Sequence, residues 1–120
     1  MAKSLVLGNG KVLVCLDAKG QVKDFYYPYV AFENHVGAYL VHKIGVWTES
    51  GFAWLNNPNW QISVKYEDET YASSITAINE NIGIELLFRD VVYNEKDIFI
   101  RRVKVKNLWD DSRIVKIYFN

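Results

Sequence analysis

One cysteine, two histidines, no net charge and no long apolar run in 120 residues remove several classes of protein before any pattern is read. A single thiol cannot close an internal disulfide. In Lys-Val-Leu-Val-Cys-Leu-Asp, Cys15 reads as a small core hydrophobe, because no base is placed beside it to make it a nucleophile. His35 and His42 stand apart from that cysteine with no zinc spacing, so neither a metal nor another cofactor is expected. Fourteen basic and fourteen acidic residues, interspersed, leave no global footprint for nucleic acid or an anionic membrane. Met-Ala-Lys-Ser is followed by only a few apolar residues before Gly8, which predicts no signal peptide, no membrane span and a cytoplasmic product. No stretch of ten or more residues carries the 3.6 period, so little or no helix is expected.

What is present is a series of short strands joined by turns. Ser4 to Leu7 is closed by Gly8-Asn9-Gly10, a tight-turn segment that superficially resembles a phosphate loop but meets neither the dinucleotide nor the Walker spacing. Lys11 to Leu16, Gln21 to Phe25, Ala38 to Thr48 and Phe52 to Leu55 follow, the last stopped by Asn56-Asn57-Pro58-Asn59. In Trp60 to Tyr66, Trp60, Ile62, Val64 and Tyr66 share one face while Gln61, Ser63 and Lys65 share the other. Ala72 to Ile78, Ile82 to Tyr93, Ile98 to Lys106 and Arg113 to Phe119 complete the set. Within Ile98 to Lys106 the apolar parity slips, which predicts a β-bulge at Arg101-Arg102. The spacing argues for an all-β antiparallel sandwich forming one domain over residues 1–120, with an open barrel as the lesser option. Val115, Ile117 and Phe119 share a face and Asn120 follows with no turn, so the last strand is expected to be truncated and the chain to be part of a longer polypeptide.

Between Asp24 and Gly37 the chain breaks the usual rule for loops. Phe25, Tyr26, Tyr27, Tyr29 and Phe32 crowd a segment that would ordinarily be polar and solvated. Such a loop either folds back on its own domain or docks on a partner, and the aromatic enrichment favours docking. The candidate interface residues are Tyr26, Tyr27, Tyr29, Phe32, Glu33, Asn34 and His35, while His42 reads as structural. No catalytic residue is assigned. Asp24, Glu33, Glu67, Asp68 and Glu69 are the carboxylates that glycosidic cleavage would draw on, but turn positions explain them more simply. The basic run Arg101, Arg102, Lys104 and Lys106 reads mostly as a wet face rather than a nucleic-acid groove. Trp47, Trp54, Trp60 and Trp109 offer flat faces for sugar rings, with core filling as the plainer role, above all for Trp60.

Several segments together carry a resemblance. Leu7-Gly8-Asn9-Gly10-Lys11, Asp24-Phe25-Tyr26-Tyr27-Pro28-Tyr29, Phe32-Glu33-Asn34-His35-Val36-Gly37, Ile44-Gly45-Val46-Trp47, Val92-Tyr93-Asn94-Glu95 and Arg101-Arg102-Val103 resemble the N-terminal domain of prokaryotic glucoamylases and glucodextranases of glycoside hydrolase family 15. The resemblance implies a large β-sandwich of the supersandwich kind, preceding an (α/α)6-barrel that carries the two catalytic glutamates of an inverting α-glucan hydrolase. No part of such a barrel is present. The implied partner is the catalytic domain of the same polypeptide, with α-glucan oligosaccharides as the implied ligands. Ala31 and Ala38 stand where relatives are expected to have glycine. A free-standing carbohydrate-binding module, or the N-terminal domain of a trehalase or glycoside phosphorylase, are the alternatives.

Overall fold

In a computed structural model of the chain, the described residues are 5–28, 34–36, 42–68 and 70–120. They form ten strands: β1 (Leu5–Gly8), β2 (Leu13–Leu16), β3 (Val22–Tyr26), β4 (Ile44–Thr48), β5 (Gly51–Trp54), β6 (Gln61–Tyr66), β7 (Ser73–Asn79), β8 (Ile84–Val92), β9 (Phe99–Asn107) and β10 (Val115–Phe119). No helix occurs among the described residues. Three antiparallel sheets, ordered β1-β2-β3, β10-β4-β5 and β6-β7-β8-β9, pack together as an all-β sandwich. Of the strand expected over Ala38 to Thr48, the described part is β4, and residues 37–41 lie outside the described residues.

Alternation dictates where the core sits. Along β8, Ile84, Leu86, Phe88 and Val92 are buried while Arg89 and Val91 face out, as a half-buried strand requires. Ile75 joins them from the neighbouring β7, Val14, Leu16, Ile44 and Val46 from the other two sheets, and Leu55 from just beyond β5, each contributing roughly 1.5–3 kcal/mol on burial. Trp60 is also core, 3% exposed, in line with its place on the apolar parity. Cys15 is buried among these residues.

The sheets are tied to one another by side chains that complete buried or edge backbone groups. The Tyr66 hydroxyl accepts from the Val6 N–H and donates to the Val6 carbonyl, both at 3.0 Å, fastening β6 to β1. Gln21 Oε1 accepts from the Ile44 N–H at 3.1 Å, joining the β2–β3 turn to β4. The Gly8-Asn9-Gly10 segment is the expected turn. Asn9 Oδ1 accepts from the N–H groups of Lys11 and Val12 while its Nδ2 donates to the carbonyls of Tyr93 and Lys96, so the turn is also a clasp on the β8–β9 connection. Gly83 has φ +65°, and a Cβ there would lie 2.4 Å from the Trp109 indole nitrogen, so both backbone and packing require glycine.

The bulge expected at Arg101-Arg102 is absent. β8 and β9 pair without interruption from Ile84↔Asn107 to Val92↔Phe99. The parity slip has another cause: Arg101 occupies an inward position on the same face as Phe99 and Val103, made tolerable by a buried carboxylate, while Ile98 and Ile100 remain 44% and 45% exposed. The register shift lies elsewhere, between Cys15 and Leu16 where β2 meets β3.

Candidate functional site

The aromatic segment begins as regular strand. Asp24, Phe25 and Tyr26 belong to β3 and pair with Cys15, Val14 and Leu13. The chain then leaves the sheet through a cis Tyr27–Pro28 bond. It returns at Asn34, which forms an isolated antiparallel bridge with Tyr26.

Asn34 is the residue that holds the two ends together. Its Oδ1 accepts from the N–H groups of Phe25 and Val36, each at 3.0 Å, and its Nδ2 donates to Asp24 Oδ1 at 2.9 Å. Beside it the His35 N–H donates to the Phe25 carbonyl at 2.7 Å, and His35 Nε2 lies 3.2 Å from the Tyr27 carbonyl, to which it donates as the Nε2–H form. A short amide is chosen here because it alone presents an acceptor to two backbone donors and a donor to a carboxylate.

Around this clasp the aromatic side chains divide. Phe25 turns inward, edge-on to Phe99 with centroids 6.3 Å apart, and edge-on to His35 at the same distance. Tyr27 stays 41% exposed, and His35 is exposed too. Val12, Phe25, Tyr27, His35 and Asp97 line a pocket of about 330 Å³. The structure thus brings together four of the seven residues read from the sequence as the site, Tyr26, Tyr27, Asn34 and His35. Tyr29, Phe32 and Glu33 lie outside the described residues. Val12 and Asp97 were not legible as neighbours, because they come from the entry to β2 and the β8–β9 turn, far away in sequence.

Of the carboxylates read from the sequence, Asp24 meets Asn34 and Glu67 forms an ion pair with Arg89, while Glu33 and Glu69 lie outside the described residues. Asp17 Oδ1 accepts from the N–H groups of Lys19 and Gln21 in the β2–β3 turn. Among the described residues no group of three or more His, Cys, Asp or Glu could hold a metal ion.

His42 has the structural place expected of it. Its Nδ1 accepts from the Val22 N–H at 3.1 Å. Its pKa is lowered, first by burial and then by the Arg101 charge, against the opposite pull of Asp17 and Asp90. Because the folded state resists protonation more than the unfolded chain does, stability is full above pH 6.5 and falls as pH drops through 6.5 toward the lower folded value. The expected result is a loss of stability between pH 7 and pH 5 that flattens in His42→Gln, read by urea unfolding across that range; parallel curves for the two proteins would refute it.

A second aromatic surface lies on the outer face of the β10-β4-β5 sheet. Gly45 pairs with both Trp54 and Tyr118, and a Cβ on it would come within 2.6 Å of the Phe52 ring. Phe52 stands edge-on to Trp54 and Tyr118 at 4.9 and 5.9 Å. Lys43 and Lys116 place ammonium groups 5.6 and 5.0 Å from the Trp54 and Trp47 rings.

No family model matches the chain, and no solved structure matches it. Over 114 residues, 95% of its length, the chain is 28% identical to an uncharacterized glycosyl hydrolase of Methanocaldococcus jannaschii. It spans 18% of the length of that relative. The chain is thus related, over nearly its whole length, to a small part of a glycosyl hydrolase.

Proposed function

We propose that this chain is a non-catalytic N-terminal β-sandwich of a glucoamylase-like, inverting α-glucan hydrolase of glycoside hydrolase family 15, packing on and stabilising the catalytic barrel. The observation that carries the reading is the proportion of the match, 95% of this chain against 18% of a glycosyl hydrolase. The hydrolytic groups then belong to the remaining four-fifths of such a polypeptide. The engagement of Asp17, Asp24, Glu67 and Asp90 in turns, clasps and ion pairs accords with that division of labour.

The docking element in this reading is the aromatic loop. Tyr27 and His35 stand exposed beside the Asn34 clasp, with Tyr26 paired in β3, and Tyr29, Phe32 and Glu33, outside the described residues, are assigned to the docking element from the sequence. A pre-ordered aromatic contributes contact area at low entropic cost. In the isolated chain Tyr27→Ala is expected to change stability by no more than about 0.5 kcal/mol, as for other exposed positions. In the full-length enzyme the same substitution is expected to lower the melting temperature and the rate of maltooligosaccharide hydrolysis. Unchanged values for both in the full-length enzyme would remove the docking role.

The Trp54, Phe52 and Tyr118 face favours a second reading, a carbohydrate-binding module. Titration of the chain with maltooligosaccharides, followed by tryptophan fluorescence, separates the two: saturable quenching supports the module, and a flat response supports the packing role.

A further inference from the structure

We propose that the outer face of the β6-β7-β8-β9 sheet carries a binding groove for a small phosphorylated ligand, a site independent of the function proposed above. On the wet side of this sheet, Arg89 of β8 lies directly opposite Arg102 of β9. The neighbouring cross-strand pair on that side is Leu87 with Lys104. Like charges facing each other across a ladder destabilise it, so a protein with no net charge has placed a repulsive pair where alternation alone would accept any polar residue.

The local acids cancel only part of this charge. Glu67 is the ion-pair partner of Arg89 and offsets it, although the Arg89 side chain is still 57% exposed, and Glu85 lies opposite Lys106. Among the described residues Arg102 and Lys104 are in no ion pair. Arg89, Arg102 and Lys104 are among the residues that line a groove of about 490 Å³, together with Ser74 and Leu87, a volume suited to a small ligand. Guanidinium pairs match the oxygens of a phosphoryl group in forked geometry, a lysine adds a point charge, and a serine hydroxyl supplies a further donor.

The same lining argues against other occupants. A neutral sugar or a single-stranded nucleic acid is held by stacking on exposed aromatic rings, whereas Phe88 in this lining is 1% exposed and the outward row carries Leu87 and Lys104. A bound phosphoryl group would sit between Arg89 and Arg102, sharing Arg89 with Glu67, and make charge-assisted contacts with both guanidinium groups.

Pyrophosphate is the probe, used with the whole 120-residue chain. Arg102 is exposed, so Arg102→Gln should fold, and relief of the like-charge pair is expected to raise its melting temperature by about 1–4 °C at low salt. Pyrophosphate should raise the melting temperature of the unmodified chain above sodium chloride at matched ionic strength. Arg102→Gln should weaken its binding at least about tenfold. Lys116→Gln alters a charge on the β10-β4-β5 sheet, away from the groove lining, and should leave binding unchanged. The proposal is overturned if sodium chloride reproduces the pyrophosphate effect, or if Lys116→Gln and Arg102→Gln weaken it equally.

Discussion

Replacing Asp90 by alanine is expected to destabilise the chain by about 3–5 kcal/mol, the range for a buried ion pair that loses one partner. The Asp90 side chain is fully buried, and its carboxylate accepts from Arg101 Nε at 2.6 Å, Arg101 Nη2 at 2.9 Å and Ser73 Oγ at 2.8 Å. Without it, a guanidinium only 9% exposed would keep the Gly20 carbonyl and the ring faces of Phe88 and Phe99, while its Nη1 already has no hydrogen-bond partner. Set against a typical domain stability of about 5–15 kcal/mol, that loss is about a fifth of the total or more. Urea unfolding of the variant provides the measurement. A change below about 1 kcal/mol would mean that Arg101 reaches water once released, and the buried-pair account would fail. Because a buried pair is itself only weakly stabilising, Asp90→Leu combined with Arg101→Met is expected to recover most of the loss.

Asn34→Ala is the second large effect, about 2 kcal/mol, and its consequence is local rather than global. Two half-buried backbone donors, those of Phe25 and Val36, lose their acceptor, and Asp24 loses a donor, so the exit and return of the aromatic segment come apart. Amide exchange at Phe25 and Val36 should accelerate well before the β8 amides respond. Asn34→Asp sharpens the test. It retains an acceptor for the two N–H groups but sets a second carboxylate against Asp24, and that variant is expected to be least stable once both acids are ionised. If exchange at Phe25 and Val36 is unaltered in Asn34→Ala, the Asn34 contacts do not hold the two ends of the segment together. In the longer enzyme of the proposed function, the same variant would present Tyr27 and His35 without pre-organisation and weaken docking accordingly.

Ten strands along the chain and the turns between them were legible in the sequence, with only the Ile44–Thr48 part of the fourth among the described residues, and so were the inward residues of β8 and the wet faces of β6 and β9 at Arg102, Lys104 and Lys106. These are determined by local quantities: a period of two, a turn residue every eight to twelve positions, and the backbone limits of glycine and proline. The aromatic segment was also recognisable, because its composition contradicts what a solvated loop tolerates.

What the tertiary structure alone decided is who meets whom. Arg101 reads as one more charge of a wet strand until the register sets Asp90 directly opposite it and turns a parity slip into a buried pair. Asn34 reads as a loop amide until Phe25, Val36 and Asp24 converge on it, and the pocket at Tyr27 needs Asp97 from a turn 70 positions away. Gly83 and Trp109 are likewise joined only by the fold. Periodicity says which side of a strand a residue takes, because that follows from its own backbone. Cross-strand pairing and the closing of loops depend on the relative positions of distant segments, which packing settles and no local pattern encodes.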